Sequence, residues 1–210
     1  MTETRVRAVP APLPESSDGL ERGRAPGWWG MVLLIVTEAL LFSILLVSYL
    51  FLRFQFGREW PPGDIPEPEL GLILVMTPIL LASSGPVHWA ERGIKRGKRG
   101  RLVAGLLLTI AMGGTFLSLQ AVEYSKTLQD FTPQTDVYGS LFFAITGFHG
   151  LHVLVGLLLL SWLTFYAVRG RFTVERHLPV QVITMYWHFV DIVWVFILTS
   201  LYLSPYFFGS

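Results

Sequence analysis

The chain has 210 residues, of which 52% are hydrophobic and only 15% charged, against about 25% charged in an ordinary soluble domain. Its net charge of +1 comes from charges segregated along the chain, so no single basic face tracks a phosphate backbone and nucleic acid is excluded as a partner. With no cysteine there is no disulfide, thiolate metal site, iron–sulfur cluster or cysteine nucleophile.

Residues 1–26 are rich in Arg, Glu, Pro and Ser and hold few bulky apolar side chains, so nothing offsets the entropy of ordering them, and a flexible tail is predicted. The first apolar run, Trp28 to Phe51, exceeds the roughly 7 to 15 residues of a signal-peptide core and is followed by no small-residue cleavage site, so it stays as a helix. About 20 apolar residues cross a bilayer core of roughly 30 Å. Five segments reach that length: 28–52, 70–90, 102–124, 137–168 and 178–206. The predicted fold is therefore an all-α bundle of five transmembrane helices occupying residues 27–210. Pro61, Pro62, Pro66 and Pro68 make the first connection a stiff loop, and Pro78 is predicted to kink the second span.

Lys and Arg concentrate in the tail (Arg5, Arg7, Arg22, Arg24), the second connection (Arg92, Lys95, Arg96, Lys98, Arg99, Arg101) and the fourth (Arg169, Arg171, Arg176). Only Arg53, Arg58 and Lys126 fall elsewhere, among acidic residues. The positive-inside rule then places the amino terminus in the cytoplasm and the carboxyl terminus outside. No internal repeat of the transporter kind is found.

An ionisable side chain at the bilayer centre costs about 2.5 to 3.5 kcal/mol even on the most lenient scale, so each one needs a reason. Glu38 lies about 15 Å into the first span at about 1.5 Å per residue. His149 and His152 occupy the middle of the fourth, and His188 and Asp191 that of the fifth. Both pairs are spaced i, i+3 and share a helix face. Gln181, Thr184, His188 and Asp191 continue as one polar stripe, expected to turn away from lipid and meet the faces carrying Glu38 and His149. Gly147, Gly150 and Gly156, with Gly113 and Gly114, are expected to let backbones approach closely. Three readings fit this pattern: a structural hydrogen-bonded network, a proton relay or ion path, and a haem or metal site built from three histidines and two carboxylates. Trp28, Trp29, Trp60, Trp89 and Tyr124 sit at span ends as an aromatic belt. Glu123, at the outer end of the third span, is read as solvated at the interface, and Trp28, Arg92, Arg101 and Arg176 are candidate lipid-headgroup contacts.

Four strings together resemble subunit III of cytochrome c and quinol oxidases. Asp136-Val-Tyr-Gly-Ser-Leu-Phe-Phe-Ala-Ile-Thr-Gly-Phe-His149-Gly-Leu-His152-Val is similar to the family's Y-G-S-x-F-F…T-G-F-H-G-x-H-V signature, and Tyr186-Trp-His188-Phe-Val-Asp191-Ile-Val-Trp194 to its Y-W-H-F-V-D-x-V-W segment. Glu38 in Thr-Glu-Ala-Leu-Leu-Phe matches the carbodiimide-reactive carboxylate of the family's S-E-x-x-F-F helix. Gly113-Gly-Thr-Phe116 through Gln120-Ala-Val-Glu123-Tyr124 resembles G-x-x-F…Q-x-x-E-Y.

The resemblance covers residues 28–205 and implies a five-helix form that lacks the first two helices of longer members. It further implies a V-shaped, phospholipid-filled cleft between the first two helices and the other three, in a bacterial plasma membrane protein. Partners implied are catalytic subunit I, which holds the haems and copper, together with subunit II and cytochrome c subunits. Neither a catalytic residue nor a metal or other cofactor is expected in this chain beyond bound phospholipid. The implied work is to stabilise the complex, shelter lipid, guide oxygen and sustain proton uptake. Gln181 stands where the family commonly has Glu, Met76 where Asn is usual, and Glu91 where His often follows Trp-Ala. Homologous accessory subunits also occur with quinol oxidases and nitric oxide reductases; the retained Glu38 and both histidine motifs favour the oxygen-reducing complex over the reductase, and a stand-alone ion-coupled transporter using Glu38, His149 and Asp191 is the rival of a different class.

Overall fold

A computed structural model describes residues 25–57, 60, 61, 65, 70–204 and 206. Nearly all of the tail expected over residues 1–26 therefore lies outside the described residues. Among the described residues five helices are long and apolar enough to cross a membrane, and there is no strand. They are α1 (Pro26–Phe56), α2 (Leu70–Lys95), α3 (Arg99–Asp130), α4 (Val137–Val168) and α5 (Leu178–Ile197), the last continued by a π-helical stretch, Leu198–Leu203.

Local chemistry sets several ends. Pro26 opens α1 and Pro179 opens α5, where the missing N–H is no loss. Asp136 caps α4 by accepting from the Gly139 N–H at 2.9 Å. Gly57 ends α1 at a φ of 55°, which favours glycine. The first three helices outrun the apolar spans read from sequence: α1 reaches Phe56, α2 reaches Lys95 and α3 runs from Arg99 to Asp130. Hydropathy marks the part in hydrocarbon, whereas the backbone stays helical into the interface, helped by pairs such as Glu91 with Lys95. α2 continues through both Pro78 and Pro86.

The helices do not divide into a first two and a last three. α2 lies along α3, then α3 along α4 and α4 along α5, while α1 rests on α5 and α4 rather than on α2. The V-shaped cleft expected between α1–α2 and α3–α5 is thus replaced by a continuous α2–α3 seam. Gly105 is the physical reason: a Cβ there would stand 2.6 Å from the Pro86 carbonyl oxygen and 2.7 Å from the Ala90 Cβ, so only glycine admits this approach.

α5 touches α1, α2 and α4 and forms the centre. Its Trp187 is wholly buried and reaches two further helices: Cβ atoms at Gly113 on α3 and Gly156 on α4 would come within 2.6 and 2.8 Å of the indole, respectively. The same indole donates its N–H to Ser83 Oγ on α2 at 2.9 Å. Gly114 has open space where its side chain would be, so of the expected Gly113–Gly114 pair only Gly113 serves close packing. α1 buries only Phe42, Tyr49 and Arg53 and turns Leu33, Leu40, Ile44, Val47 and Phe51 outward. An apolar groove of about 370 Å³ runs between α1 and α5, walled by Phe42, Leu46, Phe189, Ile192, Val193 and Phe196.

Candidate functional site

Of Glu38, His149, His152, His188 and Asp191, four fall into two separate cross-helix contacts instead of the single cluster expected. Glu38 of α1 meets His152 of α4, Oε2 to Nε2, at 3.1 Å. The ring lies 5.1 Å from that of Phe42, edge to face, and its Nδ1 donates to the Phe148 carbonyl at 2.7 Å. Tyr186 of α5 donates its hydroxyl to the His152 carbonyl at 3.2 Å, tying three helices at one level.

His188 and Asp191 of α5 turn the other way, onto α2. Ser84 Oγ lies 2.8 Å from His188 Nδ1 and donates to Asp191 Oδ2. The expected meeting of Asp191 and His188 with Glu38 does not occur, because a helix about 10 Å across stands between the two faces. Of the rest of the stripe, Thr184 is buried with its hydroxyl unpartnered, and Gln181 lines a cavity near the basic end with Ala25, Trp28 and Leu178.

His149 joins neither contact. It is fully buried, 5.0 Å from the Trp194 ring and 6.0 Å from that of Phe116, and neither ring nitrogen has a hydrogen-bond partner. The three histidines of the possible metal set thus occupy three different interfaces, and among the described residues no three His, Asp or Glu side chains converge as metal ligands do. Trp194 donates its N–H to Thr77 Oγ1 on α2 at 3.0 Å, parallel to the Trp187–Ser83 link one turn pair away.

The same scheme explains the motif on α3. Gln120 Nε2 donates to the Thr146 carbonyl at 3.1 Å, and the Tyr124 hydroxyl pairs with Thr146 Oγ1 at 2.7 Å, so Tyr124 fastens α3 to α4 rather than serving in an aromatic belt. Polar groups satisfied across helix interfaces in this way are what an apolar solvent demands.

The sequence profile described as "Cytochrome c oxidase subunit III" matches residues 24–210, which includes every helix that carries these contacts. The chain belongs to the cytochrome c oxidase subunit III family. It is 39% identical over 187 residues to cytochrome c oxidase subunit 3 of Coturnix japonica, an alignment covering 87% of this chain and 69% of that protein. The subunits 3 of Gallus gallus and Aepyceros melampus are each 38% identical with the same coverage.

Within this subunit III chain, the four lipid-headgroup candidates lie toward the Lys/Arg-rich end. Trp28 opens α1 edge-on to Trp29, with ring centres 5.0 Å apart, and borders the cavity shared with Gln181. Arg101 lies 5.9 Å over the Trp89 ring, Arg92 is exposed at the end of α2, and Arg176 closes a turn onto Thr173 before α5.

Sequence reading missed residues in the middle of the bundle and at the end away from the Lys/Arg-rich one. Ser84 gave no signal, since a serine in a span is ordinarily satisfied by its own helix. Arg53, counted as a loop charge, is instead a buried residue of α1 that donates from Nη2 to the Ser204 carbonyl at 2.7 Å, holding the end of the π-helical stretch. Its position four residues after Tyr49, also buried, was the available clue. Glu123 is likewise buried rather than solvated, and Trp60 packs among Tyr49, Phe56 and Tyr138 instead of standing in the interface.

Proposed function

We propose that this chain is the non-catalytic accessory subunit III of a proton-pumping respiratory oxidase of the cytochrome c oxidase type. It sits in a bacterial plasma membrane with its amino terminus cytoplasmic, beside a catalytic subunit I that carries haem and copper and a subunit II. It braces that complex, holds phospholipid and supports proton uptake. The observation that carries this reading is the pairing of Glu38 with His152 across α1 and α4, inside a bundle whose family match spans all five helices. A mid-membrane carboxylate matched to an imidazole gives a bundle polar groups that fix helix register, without the open reactive position that a catalytic site requires. The apolar groove between α1 and α5 has the lining that a lipid acyl chain fills, and the outward apolar face of α1 suits either lipid or a neighbouring subunit.

Affinity purification of the tagged chain from its native membrane tests the assignment. Haem and copper are expected to co-purify in fixed ratio with this chain, with oxygen consumption on addition of reduced cytochrome c. Oxidation of quinol in place of cytochrome c would reassign the chain to a quinol oxidase, and a haem partner without copper to a nitric oxide reductase. A chain that ran alone would be the ion-coupled transporter, and the accessory reading would be wrong.

A further inference from the structure

The α2–α5 contact has features that a register pin does not need. The Ser84 hydroxyl lies between an imidazole nitrogen and a carboxylate oxygen, yet it has one proton to give. In one arrangement Ser84 donates to Asp191 Oδ2 and accepts from His188 Nδ1–H, with Asp191 ionised and His188 carrying both ring protons. In the other, Asp191 carries the proton and donates to Ser84, which donates to a bare Nδ1, while His188 keeps only its Nε2 proton. Both arrangements hold three protons and differ by shifting two of them along existing hydrogen bonds, with no heavy atom moved.

The site has an enclosed, unsatisfied end and an end that leads to the surface. Asp191 is buried, and its Oδ1 has no hydrogen-bond partner, although buried carboxylate oxygens are ordinarily satisfied. At the other end the His88 ring lies 6.4 Å from that of His188, centre to centre, a separation that rotation of a ring or one bridging water closes. His88 is exposed, and its Nδ1 is 4.0 Å from Glu91, which in turn pairs with Lys95 at the basic end of α2. The titratable groups of α2 that lie toward His188 are His88 and Glu91. From α5 itself Thr184 is on the same stripe. Glu38 of α1 and His152 of α4 are engaged with each other on the opposite side, and His149 is enclosed by Phe116 and Trp194.

We infer that Asp191, Ser84 and His188 form a proton-binding site deep between α2 and α5, loaded from the Lys/Arg-rich end through His88 and Glu91, with the Ser84 hydroxyl as the relay. Ser84 and His88 act here through the proton they pass, and the site needs only these two helices, whichever complex the chain joins.

Infrared difference titration of the full chain, in the complex from which it is purified, tests this. The carboxyl C=O band assigned to Asp191 by its loss in Asp191→Asn is expected to rise and fall with pH. Ser84→Ala is expected to move its midpoint by about one pH unit or more, a tenfold change in proton affinity, and Ser84→Thr, which keeps a hydroxyl, to restore it. His88→Phe is expected to slow deuterium entry into the band at least severalfold while leaving the midpoint nearly in place. An unchanged midpoint in Ser84→Ala, or unchanged deuterium entry in His88→Phe, overturns the relay. A carboxyl band that does not titrate overturns the site itself, and leaves the accessory-subunit reading intact.

Discussion

Glu38 of α1 and His152 of α4 meet through a single hydrogen bond, Oε2 to Nε2, at 3.1 Å. His152 Nδ1 faces the Phe148 carbonyl, which only accepts, so that nitrogen carries a hydrogen. The 3.1 Å contact between Nε2 and Glu38 Oε2 then requires a second hydrogen, held either by the carboxyl or by the ring. In both cases the pair is neutral overall, which is the state that a site near the bilayer centre tolerates.

That pairing sets how substitutions at Glu38 behave. Glu38→Gln can still donate from its amide to a bare Nε2 and is expected to lose little stability. Glu38→Ala leaves His152 Nε2 without its partner and is expected to lose about 1 to 3 kcal/mol. Thermal denaturation of the two variants in the same detergent measures the difference. Electron transfer in freshly prepared complex is expected to change little in either, and an immediate loss of oxidase activity with the subunit still bound would contradict a supporting role.

The packing around Trp187 makes a sharp contrast between neighbouring glycines. Gly113→Ala drives a methyl against the indole and is expected to cost about 1 to 3 kcal/mol. Gly114→Ala meets open space and is expected to be neutral or slightly stabilising through helix propensity. Equal melting temperatures for the two variants would show that α3 does not approach α5 as described.

Tyr124 and Thr146 offer a double-mutant cycle between α3 and α4. Tyr124→Phe and Thr146→Val each remove one side of the 2.7 Å hydroxyl pair, and the coupling energy is expected near 0.5 to 1.5 kcal/mol. Additive effects would place the two hydroxyls apart.

Arg53→Met keeps an apolar stem but removes the donor to the Ser204 carbonyl. Faster amide exchange is expected to be confined to residues 198–204, with the rest of the bundle protected as before. Exchange that accelerates throughout would give Arg53 a global rather than local role.

One loop carries a pH signature. The Thr173 hydroxyl donates to Glu175 at 2.8 Å and, with the Glu175 backbone N–H, holds that fully exposed carboxyl below its ordinary range. A carboxyl lowered in the folded state stabilises the turn above its unfolded pKa, and the effect fades as pH falls through the folded value. Thr173→Ala is expected to return Glu175 toward the ordinary glutamate range, as read by a carbon-detected NMR titration.

How much was legible beforehand differs by element. Span 137–168 coincides with α4 because Asp136 caps one end and Arg169 follows the other, so the chemical and hydropathic boundaries coincide there. At α3 they diverge by several residues, since the polar stretch after Tyr124 stays helical without being apolar. Glu38, His149, His152, His188 and Asp191 stood out by cost alone, but which of them meet did not follow from spacing, and Ser84 carried no cost to notice.

By itself the sequence determined that this chain lies in lipid as five helices, because about 20 apolar residues in a row have one low-energy arrangement and the backbone must satisfy itself within each span. It also determined which polar residues had to turn inward. Tertiary structure alone decided their partners, and the deciding contacts are steric. Gly105 draws α3 onto α2, Gly113 and Gly156 close around Trp187, and α5 is thereby turned so that Asp191 faces Ser84 while Glu38 is left to His152. Helix rotation of this kind depends on contacts between residues far apart in the chain, which a periodicity within one helix does not contain.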